Sequence, residues 1–382
     1  RREDAITAVF FGDGAAAEGS VHEAMNLAGV WKLPVVFLCE NNRWAGAQPL
    51  EVHCAGGSVA ARGPAYGMPS ETVDGNDADA VHGAARRLIA RARRGEGPAL
   101  LELATYRMHG HGEADPQHYV DPAELEEWSR RDPVDRYVAR LTDEDLVTED
   151  EVREMRRDAG TAVEEALAFA DRSAPAPPDE ATLHVFSGDP GERRPADTPG
   201  ADAGTARAAP VDGGSVRELF GSQAVNEALA LAMEMDERVF LAGEGVGVSI
   251  HDNPMGATHG LLERFGPRRV RDTPVSEAAI AGLGVGAATL GLLPVVEVMF
   301  FPFVTLASDM LVNHAAKLFW LSGGRTPVPL TVRIKAGLGV GAGCHHSHDL
   351  EAWLAHAPGL KVVYPATPAD VKGLLLTAIF DP

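Results

Sequence analysis

The sequence predicts an α/β protein built on two parallel sheets, and three observations carry that prediction. Residues 5–11 (AITAVFF), a helical pattern from Glu18 to Trp31 and the run VVFLC after Pro34 make one strand–helix–strand crossover. From residue 216 a second series of short apolar runs alternates with helical patterns. Between the two lies a stretch, residues 187–214, with almost no large apolar residue and abundant Pro, Gly, Ala and Asp. Such a composition buries too little surface to offset ordering and reads as a flexible linker. The expected domains are therefore 1–186 and 215–382, joined by 187–214.

In the first domain, the strand over residues 5–11 ends at Gly12-Asp13-Gly14 and the helix comes next. In its apolar face Val21, Ala24, Leu27, Ala28 and Trp31 recur at helical spacing. The second strand ends at Glu40-Asn41-Asn42. Residues 45–66 read as loop, Asp74–Asp77 as a turn, and Asp77 as the cap of a helix over Ala78–Arg94. Pro98–Thr105 reads as a buried strand leading into His109-Gly110-His111. Helices are expected over Glu124–Arg130 and Glu149–Asp171, the charged stretch Glu151–Asp158 being a solvated face. The second domain is expected to run as helix 216–235, strand Val239–Ala242, an extended Val270–Thr273 and a helix from Ser276-Glu277 rich in small residues. Strand Pro294–Val298, helix 304–318, strand Val328–Ile334, strand Leu360–Tyr364 and a Thr367-capped helix Pro368–Ile379 complete it.

Asp13 and Asn42 each come directly after a strand of the same crossover. Both thus lie at the carboxyl edge of a parallel sheet, where α/β proteins bind ligands. Gly12 and Gly14 are read as allowing a sharp turn that brings N–H groups to an anion beside the helix N-terminus. Asp13 and Asn42 offer hard oxygens, one charged and one neutral, suited with a main-chain carbonyl and diphosphate oxygens to octahedral magnesium. Gly-Asp-Gly or Asn-Asn alone is ordinary loop sequence; the pair, each after its own strand, is a much stronger signal.

The net charge of −21 argues against nucleic acid or an anionic membrane as partner. Three cysteines, Cys39, Cys54 and Cys344, are few, odd in number and widely spaced, which favours a reducing, cytoplasmic setting over a disulfide framework. The chain begins at Arg1 and stops at Asp381-Pro382 just after a helical pattern, so a piece of a longer protein is expected.

GDGAAAEG (12–19) with ENNRWA (40–45) after it resembles the thiamine diphosphate motif of the α subunit of 2-oxo acid dehydrogenases. The resemblance implies that Asp13, Asn42 and the carbonyl of Trp44 hold magnesium, with Gly14 and Ala15 along the diphosphate. Trp44 stands where the family has tyrosine, a change of little consequence if only its carbonyl ligates. TYRMHGH (105–111) matches the family's loop, whose second histidine, here His111, lies against diphosphate and substrate. Mammalian pyruvate dehydrogenases place a regulatory serine directly after it; Gly112 stands here, and inactivation by phosphorylating that loop is not expected.

DTPVSEAAIAG, PVVEVMFFPF, HHSHDLEAW and APGLKVVYPATPADVKGLL resemble the pyrimidine-binding domain of the family's β subunit. By itself Glu277 is an ordinary acidic residue at a helix start. By resemblance it hydrogen-bonds a pyrimidine ring nitrogen of the cofactor and Phe303 packs on that ring. His346 is the match to the histidine facing substrate and lipoyl group, and His348 replaces a usual glutamine. Glu244 matches a family acid near the site. His345, His346 and His348 could suggest a metal, but no further ligands are apparent in the sequence.

The resemblance implies α and β portions in one polypeptide, without the amino-terminal third of an α subunit and the carboxy-terminal domain of a β subunit. The expected activity is oxidative decarboxylation of a 2-oxo acid, of pyruvate or branched-chain type. The acyl group passes to the lipoyl domain of a dihydrolipoyl acyltransferase, and the assembly is at least a homodimer. An acetoin-cleaving relative and a catalytically silent scaffold are the alternatives.

Overall fold

The computed structural model describes residues 5–112, 115–178, 180, 183–187, 217–247, 256–335, 341 and 343–382. Nearly all of the expected linker 187–214 lies outside them. Two compact units are present, Arg1–Pro175 and Ala176–Pro382.

The first unit is a four-stranded parallel sheet of β1 (Thr7–Gly12), β2 (Val35–Asn41), β3 (Ser70–Asp74) and β4 (Ala99–Ala104), in the order β1-β2-β4-β3. Side-chain alternation along β2 explains its near-continuous apolar sequence. Phe37 and Cys39 enter one core cluster with Met25 and Ala28 of α1 (Gly19–Trp31). Val36 and Leu38 enter the opposite one with Ala84 and Leu88 of α2 (Ala78–Arg93). Asp77 caps α2 by accepting from the N–H groups of Asp79 and Ala80, as its position predicts. Helices α3 (Pro122–Ser129), α4 (Pro133–Asp143) and α5 (Glu149–Arg172) come next, and the expected solvated face of α5 is exposed.

The second unit repeats the scheme. Strands β5 (Val239–Gly243), β6 (Val270–Asp272), β7 (Leu293–Val298) and β8 (Thr331–Ile334) are parallel in the order β8-β7-β5-β6. One core cluster joins Leu229 and Met233 of α6 (Gly221–Met235) to Val239, Leu241, Val295 and Ile379. Another joins Ala281 of α7 (Glu277–Thr289) to Phe301, Val304 and Leu311. The helix expected over 304–318 consists of Val304–Asp309, a π-helical Met310–Ala315 and Ala316–Leu321. Thr367 caps the helix Pro368–Ile379 through a reciprocal pair with Asp370, as predicted.

The structure departs from the sequence reading at three places. Leu360–Tyr364 forms no strand, and Val363 and Tyr364 are about half exposed. An apolar run becomes a strand only where a neighbouring strand supplies N–H and C=O partners, and none among the described residues does so here. Conversely, SETVD has a single large apolar residue and carries no strand signal, yet it forms β3 by pairing with β4. Residues 45–66, expected as loop, contain a short hairpin of Trp44–Ala45 with Gln48–Pro49, a helical turn Leu50–His53 and a 3-10 segment Ala60–Tyr66.

That loop is clamped by one buried carboxylate. Glu102 of β4 is 1% exposed. It accepts from Asn41 Nδ2 (2.6 Å), Val59 N (3.1 Å), Ser58 Oγ (2.6 Å), Ala60 N (2.9 Å) and Thr72 Oγ1 (3.0 Å). Burial by itself would raise its pKa, but these donors outweigh burial and hold it below the usual glutamate range. Glu102→Gln keeps the volume but sets an amide donor among groups that already donate, and should cost about 2–3 kcal/mol in a urea melt. Because the folded pKa is depressed, the contribution is present above the unfolded value of about 4.3 and is lost as pH falls through the lower folded one. The variant should therefore show a flatter acid limb than the wild type; an unchanged limb would exclude the clamp.

Candidate active site

At the edge of the first unit, the register that pairs Gly12 with Glu40 and Asn41 with Ala104 brings three strand ends level. Asp13 comes directly after β1, Asn42 after β2 and Thr105 after β4. Asp13 is 1% exposed. Its Oδ1 accepts the N–H of Asn42 at 3.2 Å and its Oδ2 pairs with His53 Nε2 at 2.9 Å. Asn42 Oδ1 accepts the N–H of Trp44 at 3.1 Å, and Asn41 Oδ1 accepts that of Arg43 at 3.2 Å. Two side-chain-closed turns thus hold Arg43 at φ 71°, left-handed backbone that a non-glycine residue adopts only when its surroundings dictate it.

Gly14 serves a purpose other than the sharp turn its sequence suggests. It has ordinary right-handed backbone (φ −62°, ψ −48°), so the turn itself does not demand glycine. A Cβ at this position would lie 2.7 Å from that of Ala45. The missing side chain admits the Trp44–Pro49 hairpin against the Asp13 turn. Gly12 lies within β1, with no such close neighbour. Ala15 opens the 3-10 turn Ala15–Ala17 that precedes α1, and an Arg62 guanidinium N–H donates to the carbonyl of Ala16. Burial, then the nearby carboxylates Glu102 and Asp13, push the Cys39 thiol well above its usual range, so it is an inert core group.

Among the described residues, no three His, Cys, Asp or Glu side chains are placed to hold a metal ion by themselves. A metal here must therefore lean on amide and main-chain oxygens. The buried carboxylate of Asp13, the amide oxygen of Asn42 and the carbonyl of Trp44 suit a hard cation of the magnesium type, and the space kept by Gly14 suits a closely approaching group.

The loop carrying His111 is organised from Asp115. Asp115 accepts from Tyr119 Oη, from the N–H of Gln117 at 2.9 Å and from that of His111 at 2.8 Å. These bonds, Tyr119 first, lower its pKa to about 2. The imidazole of His111 is exposed. Arg107 donates to Tyr119 Oη (2.6 Å) and to the carbonyl of Gly46 (2.8 Å), tying the two loops together. The Trp44 ring packs on Tyr119, with centroids 5.1 Å apart, and lies 5.9 Å from the Arg107 guanidinium. The Trp44 ring thus helps to join the hairpin to the His111 loop.

In the second unit, Glu277 is the first residue of α7 and is 7% exposed, a buried carboxylate at a helix N-terminus. Glu244 comes directly after β5; burial first, then the charge of Glu277, raises its pKa. Phe303 and His346, far apart in the chain, meet edge to face with centroids 5.5 Å apart. Phe300 lies 4.6 Å from His346 and 6.0 Å from Phe303, and the Lys335 ammonium sits 4.8 Å from the Phe300 ring. His345 is exposed, and its Nδ1 lies 3.8 Å from Cys344 Sγ. Sequence reasoning misses His53, Phe300 and Lys335. Only Phe300, inside an aromatic run, carries any local signal.

Comparison with known proteins agrees with both halves. Residues 1–179 match the family model described as dehydrogenase E1 component, and residues 219–382 match that of the transketolase pyrimidine binding domain. The mitochondrial pyruvate dehydrogenase E1 component subunit beta of Pisum sativum is 45% identical over 168 residues, 44% of this chain and 46% of the relative. That of Chaetomium thermophilum is 47% identical over 167 residues, 44% of this chain and 43% of the relative. The acetoin:2,6-dichlorophenolindophenol oxidoreductase subunit beta of Bacillus subtilis is 43% identical over 175 residues, 43% of this chain and 51% of the relative. The chain thus spans about half the length of these relatives. With an E1-type region and a pyrimidine-binding region in one polypeptide, the chain belongs to the thiamine diphosphate-dependent 2-oxo acid dehydrogenase family.

Proposed function

We propose that this chain serves the decarboxylating component of a 2-oxo acid dehydrogenase complex, acting on pyruvate or a branched-chain 2-oxo acid. The product acyl group goes to the lipoyl domain of a dihydrolipoyl acyltransferase. The observation that carries this reading is the buried Asp13, backed by Asn42 at the next strand end, within a chain whose other half presents Glu277 and the Phe303–His346 pair. A scaffold has no use for a desolvated carboxylate at a ligand edge. In this reading Asp13, Asn42 and the carbonyl of Trp44 hold magnesium, and Gly14 and Ala15 line the diphosphate. Thiamine diphosphate, when bound, supplies the electron sink for decarboxylation.

The roles of the chain's own residues derive from their surroundings. Glu277, buried at its helix start, is placed to share a proton with a pyrimidine ring nitrogen, and burial together with the charge of Glu277 raises the pKa of Glu244. Phe303 offers a flat apolar surface to an aromatic ring. His346, fixed between Phe300 and Phe303, donates toward the acyl acceptor, and His111 toward diphosphate and substrate. The working unit is at least a homodimer, in the cytoplasm, where free cysteines persist. Cleavage of acetoin is the second reading, favoured by the Bacillus subtilis relative. Turnover measured with a panel of 2-oxo acids and acetoin decides between them.

Asp13→Ala should abolish magnesium-dependent binding of thiamine diphosphate, read by calorimetry, while the fold persists; undiminished affinity would exclude the metal assignment. Glu277 and His346 should fail differently. Glu277→Gln should lower turnover by ~100-fold or more with an artificial electron acceptor and with a lipoyl domain alike, because both acceptors need the same proton management. His346→Ala should lose more with the lipoyl acceptor than with the artificial one. Equal proportional losses for both variants in the two assays would refute the separate roles.

A further inference from the structure

We propose that His53 is a positioning residue for the metal ligand Asp13, a role that rests on the magnesium reading of that edge. His53 ends the short helix Leu50–His53, far along the chain from Asp13. Its neighbours in sequence anchor it: Leu50 and Cys54 are buried in the cluster that holds Met25, Phe37, Cys39 and Leu100. The imidazole is therefore carried to Asp13 by the packing of the loop. Its Nε2 lies 2.9 Å from Asp13 Oδ2, with side-chain exposures of 7% and 1%.

The other ring nitrogen identifies what the residue is for. Nδ1 is buried and has no hydrogen-bond partner among the described residues. With Nε2 facing the carboxylate, Nδ1 is left without a partner in the core. An imidazole retained for packing would be better replaced by an apolar side chain, since an unsatisfied buried polar atom destabilises. Among the described residues, the only polar contact of the His53 ring is the one to Asp13. That contact and the Asn42 N–H on Oδ1 together fix the carboxylate plane, each using one lone pair and leaving others for a cation. Magnesium tolerates little departure from octahedral geometry, so a carboxylate free to rotate binds it less well. Hydrogen-bond partners of metal ligands act in this way, and their loss commonly costs about 10–100-fold in metal affinity.

The test uses Mn2+ as a probe. Its binding to the full chain with thiamine diphosphate is followed by electron paramagnetic resonance, and Mg2+ binding by calorimetry, for the wild type, His53→Ala and His53→Gln. His53→Ala should weaken both ions by about 10–100-fold. His53→Gln, whose amide can donate to Oδ2, should regain most of the affinity. Thermal melting without metal checks that each variant folds. Unchanged affinity in His53→Ala overturns the proposal. So does equal weakening in both variants accompanied by a fallen melting temperature, which would mark a packing role. Direct nitrogen coupling to Mn2+ in the wild type would make His53 a ligand and likewise overturns it. If the wild type binds neither ion, the magnesium reading itself fails, a result told apart because the wild type fails with the variants.

Discussion

The constraint on which the first unit depends is parallel register. With Gly12 level with Glu40, and Asn41 level with Ala104, β1, β2 and β4 stop within one residue of the same height. The residues just past each strand end are then forced into one small region, whatever their separation along the chain. A slip of one residue between β1 and β2 would move Asp13 away from Asn42 and exchange Phe37 and Cys39 with Val36 and Leu38 between the two core faces. The apolar pattern that builds the core therefore also aligns the polar residues of the edge.

Holding those polar residues still is the work of buried carboxylates. Glu102 collects donors from β2, β3 and the 58–60 segment, and through Asn41 it reaches the turn that carries Arg43 and Trp44. Asp115 does the same at the surface for the His111 loop, and the Arg107–Tyr119–Trp44 contacts join that loop to the hairpin. In each case a carboxylate acts as a pure acceptor for backbone donors that irregular chain would otherwise leave unsatisfied. The edge is irregular in path but densely bonded.

The second unit uses apolar contact for the same purpose. Phe300 and Phe303 meet the His346 ring at steep interplanar angles of 88° and 80°. Glu277 is placed by a helix start, where the backbone favours a negative charge that burial disfavours. Burial and the charge of Glu277 in turn raise the pKa of the neighbouring Glu244.

The strands β1, β2, β4, β5 and β7, helices α1, α2, α6 and α7, and the caps at Asp77 and Thr367 are legible in the sequence. So is the candidacy of Asp13, Asn42, Glu277, Phe303 and His346. The elements and caps announce themselves locally by apolar periodicity and capping residues, and Asp13 and Asn42 by their places after strands, because these determinants lie within a few residues; Glu277, Phe303 and His346 are candidates only through the family resemblance. The strand Ser70–Asp74, the lack of a strand partner for Leu360–Tyr364 among the described residues, the spacing role of Gly14, and the contacts of Glu102, His53 and the Trp44 ring are decided only by the tertiary structure. Each depends on a partner distant in the chain: a ladder from β4, the Cβ of Ala45, the carboxylate of Asp13. Hydrogen-bond partners and close approaches between distant segments leave no periodic trace in the chain. They come into being only when packing has already brought the segments together.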